Sequence, residues 1–172
     1  MQTRFRFLAL AVIAIPALAN AQAPVAKAFR DDATDKAKML IAAAEEMPAA
    51  NYSFKPTPAQ MTFGATVVHL IRGNDFLCGA IGGTKAPART GFSDSSSKEV
   101  LVAQLKQSFD FCGTALAKLD DSNLTEELPV FGRKMSRAAV MTLTTGDWAD
   151  HYSQQAIYLR LNGKLPPSAK KP

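Results

Sequence analysis

Apolar residues return at intervals of three and four along four stretches of this chain, with charged residues filling the opposite faces. In the first stretch Phe29, Ala33, Ala37, Leu40, Ile41 and Ala44 share one side, while Arg30, Asp31, Lys36 and Lys38 take the other. That spacing marks an amphipathic helix within residues 24–50, since side chains three and four apart lie on one face. Met47-Pro48 ends it, because proline disfavours helical backbone at the residue before it. Past a connector holding Pro56 and Pro58, a second helix is predicted from about Pro58 to Ala80, carrying Phe63, Val67, Leu70, Phe76 and Leu77. Proline suits a first helical turn, and Gly79, Gly82 and Gly83 break the pattern at the other end. Residues 82–96 are rich in Gly, Pro and Ser, a long loop.

Ser95, Ser96 and Ser97 offer N-caps for a third helix bearing Val100, Leu101, Leu105, Phe109, Leu116 and Leu119, as short hydroxyl side chains do. Asp120 to Arg133 reads as an irregular link, with a short extended piece over Glu127 to Gly132. A fourth helix starts near Ser136 and carries Ala139, Val140, Leu143, His151, Ile157 and Leu161. Gly163 is its expected C-cap and Pro166-Pro167 forbids continuation. No internal repeat is visible. The pattern predicts an all-α four-helix bundle over residues 24–167, followed by a disordered tail at 168–172.

The first 23 residues read differently. Arg4 and Arg6 precede a nearly unbroken apolar run from Phe7 to Leu18, and Ala19-Asn-Ala21 and Ala21-Gln-Ala23 offer small-x-small cleavage sites. This is the pattern of a secretory signal peptide, too short and wrongly flanked for a stable membrane span; a retained anchor is the competing reading. Cleavage would remove two arginines and no acid, lowering the formal charge from +5 to +3. The expected destination is exported, periplasmic or secreted. About 150 residues would remain, enough for one domain with a sizeable core. No basic run is interleaved with aromatics, so nucleic-acid binding gains no support. No second long apolar stretch exists, so stable membrane insertion after cleavage is not expected.

In an oxidising compartment the two cysteines, Cys78 and Cys112, are expected to form one disulfide; two buried thiols are the alternative. A bridge would test the topology. At 1.5 Å per residue, Cys78 lies about 30 Å from the start of the second helix and Cys112 about 22 Å from the start of the third. Parallel helices place those sulfurs at similar levels. In an antiparallel hairpin Cys78 would lie about 6 Å from the loop end and Cys112 about 22 Å, whereas a bridge needs α-carbons within about 7 Å. The expectation is therefore that helices two and three run parallel, joined by residues 82–96 as a crossover.

The chemistry concentrates in Gly146-Asp-Trp-Ala-Asp-His151. Asp147 and His151 are four apart and point the same way on a helix, and both types ligate divalent metals. Gln154 and Tyr158 extend the polar stripe. The other histidine, His69, sits in Thr66-Val-Val-His-Leu-Ile, an apolar setting that should bury it. Two histidines and a carboxylate converging in the core would make a three-ligand site. Each has a plainer reading: His69 as a core histidine satisfied by a neighbour, His151 as Asp147's hydrogen-bond partner or as part of a solvated stripe, and Asp147 as the N-cap of a new helix from Trp148. Gly146 favours that last reading, because glycine inside a helix costs about 1 kcal/mol relative to alanine. Asp150 is the reserve carboxylate, facing about 100° away from His151. The cysteines lack the paired spacing of a zinc knuckle, and neither a nucleophile elbow nor a phosphate-cradling glycine loop is present.

Met47-Pro48 with Tyr52-Ser-Phe-Lys-Pro56, Phe63-Gly64 leading to His69, Phe76-Leu-Cys78, His151-Tyr-Ser-Gln154 with Tyr158-Leu-Arg160, and Gly163-Lys-Leu-Pro-Pro167 together give the chain its resemblance to the DinB-like family, which includes bacterial thiol-transferase bundles. The resemblance spans nearly all of the chain after the leader. It implies a four-helix bundle with parallel middle helices and a divalent metal, zinc or nickel foremost, held by three histidines. His69 and His151 match two of those positions; the third is Asp147 here. Two histidines and one carboxylate still suit zinc or nickel, and also iron or manganese with open positions. The resemblance further implies a metal that activates a water or a thiol, although cytoplasmic thiol cofactors would not await an exported protein. Asp150 and Tyr152 are the only candidates for a general base. The expectation is an exported bundle binding one metal through His69, Asp147 and His151, with a small molecule of unidentified class as partner. The alternative is a non-catalytic bundle whose degenerate site no longer holds metal. Whether the chain is an enzyme, and whether it forms a homodimer, stay open.

Overall fold

The computed structural model describes residues 23–170, so the leader expected over residues 1–23 lies outside the described residues apart from Ala23. Four helices form the body: α1 Pro24–Glu46, α2 Phe63–Gly82, α3 Lys98–Leu116 and α4 Arg137–Leu161. A two-stranded antiparallel hairpin, β1 Glu127–Val130 and β2 Arg133–Ser136, stands between α3 and α4.

Side-chain caps decide where three helices begin. Thr62, Ser97 and Ser136 each adopt extended backbone and accept the amide hydrogen three residues on, from Ala65, Val100 and Ala139. Such a cap satisfies one of the amides that a helix start leaves without a partner. The cap at Thr62 corrects the expected start of the second helix at Pro58: residues 56–60 form bends and turns instead. Gly83 takes the left-handed conformation (φ 61°), which lets Thr84 bond back to the Gly79 carbonyl and end α2. The expected extended piece over 127–132 contains one arm of the hairpin, and its partner β2 lies where the irregular link was expected to end at Arg133 and the fourth helix to start near Ser136. Arg133-Lys-Met-Ser lacks apolar alternation, so its strand character comes from pairing. Contrary to the disorder expected from residue 168, Ser168 donates its amide to the Tyr152 hydroxyl and Pro167–Ala169 form a 3-10 turn.

The core lies where all four helices meet. Trp148 is stacked on Phe29 at 5.8 Å between ring centroids and tilts against Phe109 at 6.0 Å, so one side chain ties α4 to α1 and α3. Its indole Nε1 donates to Asn74 Oδ1 (2.7 Å), and Asn74 Nδ2 donates to Ser108 Oγ (2.9 Å), which adds α2. Buried polar atoms need such partners. Cys78 and Cys112 are disulfide-bonded, their α-carbons 5.1 Å apart. Residue numbers rise together along the α2–α3 seam: Asn74 meets Ser108, Cys78 meets Cys112, and a Cβ on Gly82 would fall 2.1 Å from the Ala115 carbonyl oxygen. Among the described residues no helix is long and apolar enough to cross a membrane.

Candidate metal centre

The local cause of the site is the register of α4. The helix runs unbroken from Arg137 to Leu161 through Gly146, which overturns the reading of Asp147 as the cap of a separate helix. Thr144, Trp148, His151 and Gln155 lie along its buried face, so packing of Trp148 fixes how α4 is rotated. His151 is thereby buried and Asp147, one turn earlier, half-buried at the edge. His151 Nε2 lies 3.4 Å from Asp147 Oδ1.

Across the seam, α2 brings His69. Its apolar neighbours in sequence suggested burial, but the side chain is exposed. Consecutive helical residues differ by about 100°, so Val67, Val68 and Leu70 turn into the core while His69 turns to the rim. The His69 and His151 rings approach with centroids 4.8 Å apart. Gly73, one turn beyond His69, leaves room for the carboxylate: a Cβ there would sit 3.7 Å from Asp147 Oδ2. One donor atom from each of His69, Asp147 and His151 lies within 4.8 Å of the others.

Two ligands of one tetrahedral zinc ion, at bond lengths of 2.0–2.2 Å, stand about 3.4 Å apart. The Asp147–His151 spacing already matches, and the widest spacing of the set asks for a contraction of about 1.4 Å, within reach of the exposed His69 side chain by rotation. Donor types and burial fit as well. Two imidazoles and a carboxylate suit zinc and the first-row divalent ions; His151 turns Nε2 toward Asp147, and among the described residues its buried Nδ1 has no hydrogen-bond partner. Burial opposes the charged form of His151, but the hydrogen bond and charge of Asp147, helped by the Asp150 charge and Gln154, outweigh it and raise the imidazole pKa.

Other polar residues of α4 bond away from the three donors. Gln154 donates to Asp150 Oδ2 (2.7 Å) on the outer surface, and Tyr158 donates to the Met61 carbonyl (2.8 Å). Asp150 is exposed, and Tyr152 accepts the Ser168 amide. Neither expected general base is among the three side chains brought together. Two residues of interest were invisible to sequence reasoning. Gln155 is fully buried with both amide atoms unpartnered; its only signal was a polar residue on the core stripe. Arg72, three residues after His69, lines the same cleft of ≈ 320 Å³; its signal was that spacing alone.

The DinB superfamily matches this chain over residues 33–155. No curated protein matches it. Among solved structures, a DinB-like protein from Bacillus cereus is similar with a TM-score of 0.70 at 18% identity, covering 84% of this chain and 97% of that one. A DinB-like protein from Bacillus subtilis has a TM-score of 0.66 at 21% identity, covering 79% and 92%. A conserved protein from Enterococcus faecalis has a TM-score of 0.66 at 15% identity, covering 81% and 98%. At these identities the structures speak for the fold alone.

Proposed function

The chain belongs to the DinB superfamily, and from that premise we propose that it is an exported bundle holding one divalent metal ion through His69, Asp147 and His151. The observation that carries the reading is the convergence of those three donors from two helices at one rim of the core. Zinc and nickel are the foremost candidates, then iron and manganese, because the donor set contains no thiolate and mixes imidazole with carboxylate. A bound ion of this kind lowers the pKa of a water or thiol and supplies a nucleophile near neutral pH.

The residues themselves do the positioning. Asp147 and His151 come preset on one helix at ligand spacing, and His69, exposed beside the ≈ 320 Å³ cleft, gives a ligand access to the site. Asp147 replaces a neutral imidazole of the resemblance with an anion, which lowers the net charge of the loaded site and weakens its Lewis acidity. Export is supported by the leader pattern and by the Cys78–Cys112 bridge, since disulfides persist in oxidising compartments.

The test is elemental analysis of the mature protein, purified without chelator or affinity metal, beside Asp147→Ala and His151→Ala. The expected result is near-stoichiometric metal in the wild type that both substitutions remove. Metal-free wild type that also fails to take up added zinc, nickel or iron would overturn the reading and leave a degenerate site in a binding protein. N-terminal sequencing of the periplasmic or secreted product tests export.

A further inference from the structure

We propose that the outer face of α2 beside the triad is the binding groove for a small acid with an apolar body. Arg72 takes its carboxylate or phosphate, and Phe76 with Phe131 takes its apolar end. This deepens the metal reading, which supplies the reactive end of the groove. His69, Arg72, Gly73 and Phe76 follow one another at helical spacings of three, four and seven, so they share one face over about 10 Å. Two clefts adjoin along that face. One, of ≈ 320 Å³, is lined by Met61, His69, Arg72 and Asp94 among others. The next, of ≈ 330 Å³, is lined by Arg72, Asp75, Phe76, Arg89 and Phe92. Arg72 belongs to both.

Its exposed guanidinium is not held by an acid of its own helix. Asp75, the nearest acid along the helix, is held by Arg89 through two bonds of 2.6 and 3.1 Å. Asp94 shares the first cleft, yet none of the ion pairs among the described residues includes Arg72. A guanidinium so placed is matched by the planar, bidentate oxygens of a carboxylate or phosphate. Beyond it stands an aromatic pair, Phe76 and Phe131, with centroids 5.1 Å apart and 43% and 60% of their surface exposed. Phe131 is held at φ 51° in the turn joining β1 and β2, where Asn or Gly is the unstrained choice. A bulky residue kept there against its own preference, to hold an aromatic ring in solvent, fits an apolar contact made with a ligand.

The probe is 4-phenylbutyrate against its neutral amide, titrated by NMR into zinc-loaded and metal-free protein. Wild type is expected to favour the acid by at least tenfold. Arg72→Gln should abolish that preference, and Phe131→Asn should weaken both probes while raising the melting temperature. Equal binding of acid and amide, no binding up to 10 mM, or an unchanged preference in Arg72→Gln overturns the groove. An Arg72-dependent preference that survives without metal leaves the groove standing even if the metal reading falls.

A separate observation carries a second inference: the geometry points to Gln155 as the positioning residue for His151. Gln155 is 0% exposed and neither of its side-chain polar atoms has a partner; His151 Nδ1, one turn earlier on the same face, is likewise buried and unpartnered. Helical side chains lean toward the N-terminus, which aims Gln155 at the turn of His151. Its amide oxygen accepts the Nδ1–H, directly or through one water, when Nε2 faces a metal. Histidine ligands are regularly oriented by such a bond. Gln155→Met, which keeps the length and removes the polar atoms, should weaken zinc binding by about 10- to 100-fold in chelator competition, yet raise the melting temperature of the metal-free protein. Gln155→Glu, which keeps an acceptor, should restore most of the affinity. Zinc affinity within twofold of wild type in Gln155→Met, or a lowered melting temperature in the metal-free variant, overturns the assignment. Imidazole ¹⁵N shifts of the metal-free wild type beside metal-free Gln155→Met test it even if zinc does not bind: an Nδ1 shift that the substitution leaves unmoved overturns the assignment.

Discussion

Replacing Asn74 with alanine should loosen the joint of the bundle, and its cost can be worked from three contacts. Asn74 and Trp148 are each 1% exposed. The substitution removes the acceptor of the Trp148 indole N–H and the donor to Ser108. Ser108 keeps a partner, because its hydroxyl donates to the Leu105 carbonyl (2.7 Å). The indole keeps none, and leaving a buried donor unpaired costs about 1–3 kcal/mol. The lost Asn74–Ser108 bond adds about 1 kcal/mol, so the total is about 2–4 kcal/mol. For a domain of this size each kcal/mol moves the melting temperature by about 2–4 °C, giving a drop of roughly 4–16 °C by circular dichroism. The same substitution in a Trp148→Phe background, which has no indole donor to strand, should cost at least about 1 kcal/mol less, a coupling typical of residues in contact. Since Trp148 sets the rotation of α4, and with it Asp147 and His151, metal affinity should fall in parallel. A penalty under about 1 kcal/mol, or one unchanged in the Trp148→Phe background, would refute the reasoning.

Protonation gives a second test. The folded pKa of His151 is raised above its ordinary value near 6.5, so the pair with Asp147 adds stability that is full below about pH 6.5 and lost as pH rises through the folded pKa. Metal needs the neutral ring, so zinc affinity runs the other way, falling about tenfold per pH unit below that pKa; a competition titration flat between about pH 5 and 8 would contradict this. Reducing the Cys78–Cys112 bridge, which spans 34 residues, should remove up to about 3.7 kcal/mol, and unfolding curves with and without reductant that coincide would argue against it. Two glycines should respond oppositely. Gly82→Ala meets the Ala115 backbone at 2.1 Å and should destabilise by about 1–3 kcal/mol or more. Gly146→Ala has nothing within 4 Å and should stabilise a continuous α4 by about 0.5–1 kcal/mol, a gain that would be missing if the helix broke at Asp147.

Whatever depends on neighbours along the chain was legible in the order of the residues. Helix-period apolar stripes, the serine-capped start of α3, the start of α4 near Ser136, the glycine-marked end of α2 and the Asp147–His151 pair are all set by covalent spacing, and all could be read before any packing was known. The limits of local reading appear in particular residues. Pro58 was a fit helix start, but Thr62 supplied the cap. Gly146 suggested a break, yet burial of Thr144, Trp148, His151 and Gln155 along one face holds α4 continuous across it. His69 looked buried because its sequence neighbours are apolar; on a helix those neighbours face elsewhere.

Convergence was decided only by tertiary structure. That His69 meets Asp147 and His151, that Arg72 stands open beside them, and that Gln155 is sealed in with no partner all follow from how α2 and α4 are rotated about their own axes. Those rotations are set by contacts between elements distant in sequence: the Trp148–Asn74 bond, the stack on Phe29, the Cys78–Cys112 bridge and the close approach at Gly82. A helical period says which residues share a face. Only packing says which faces meet.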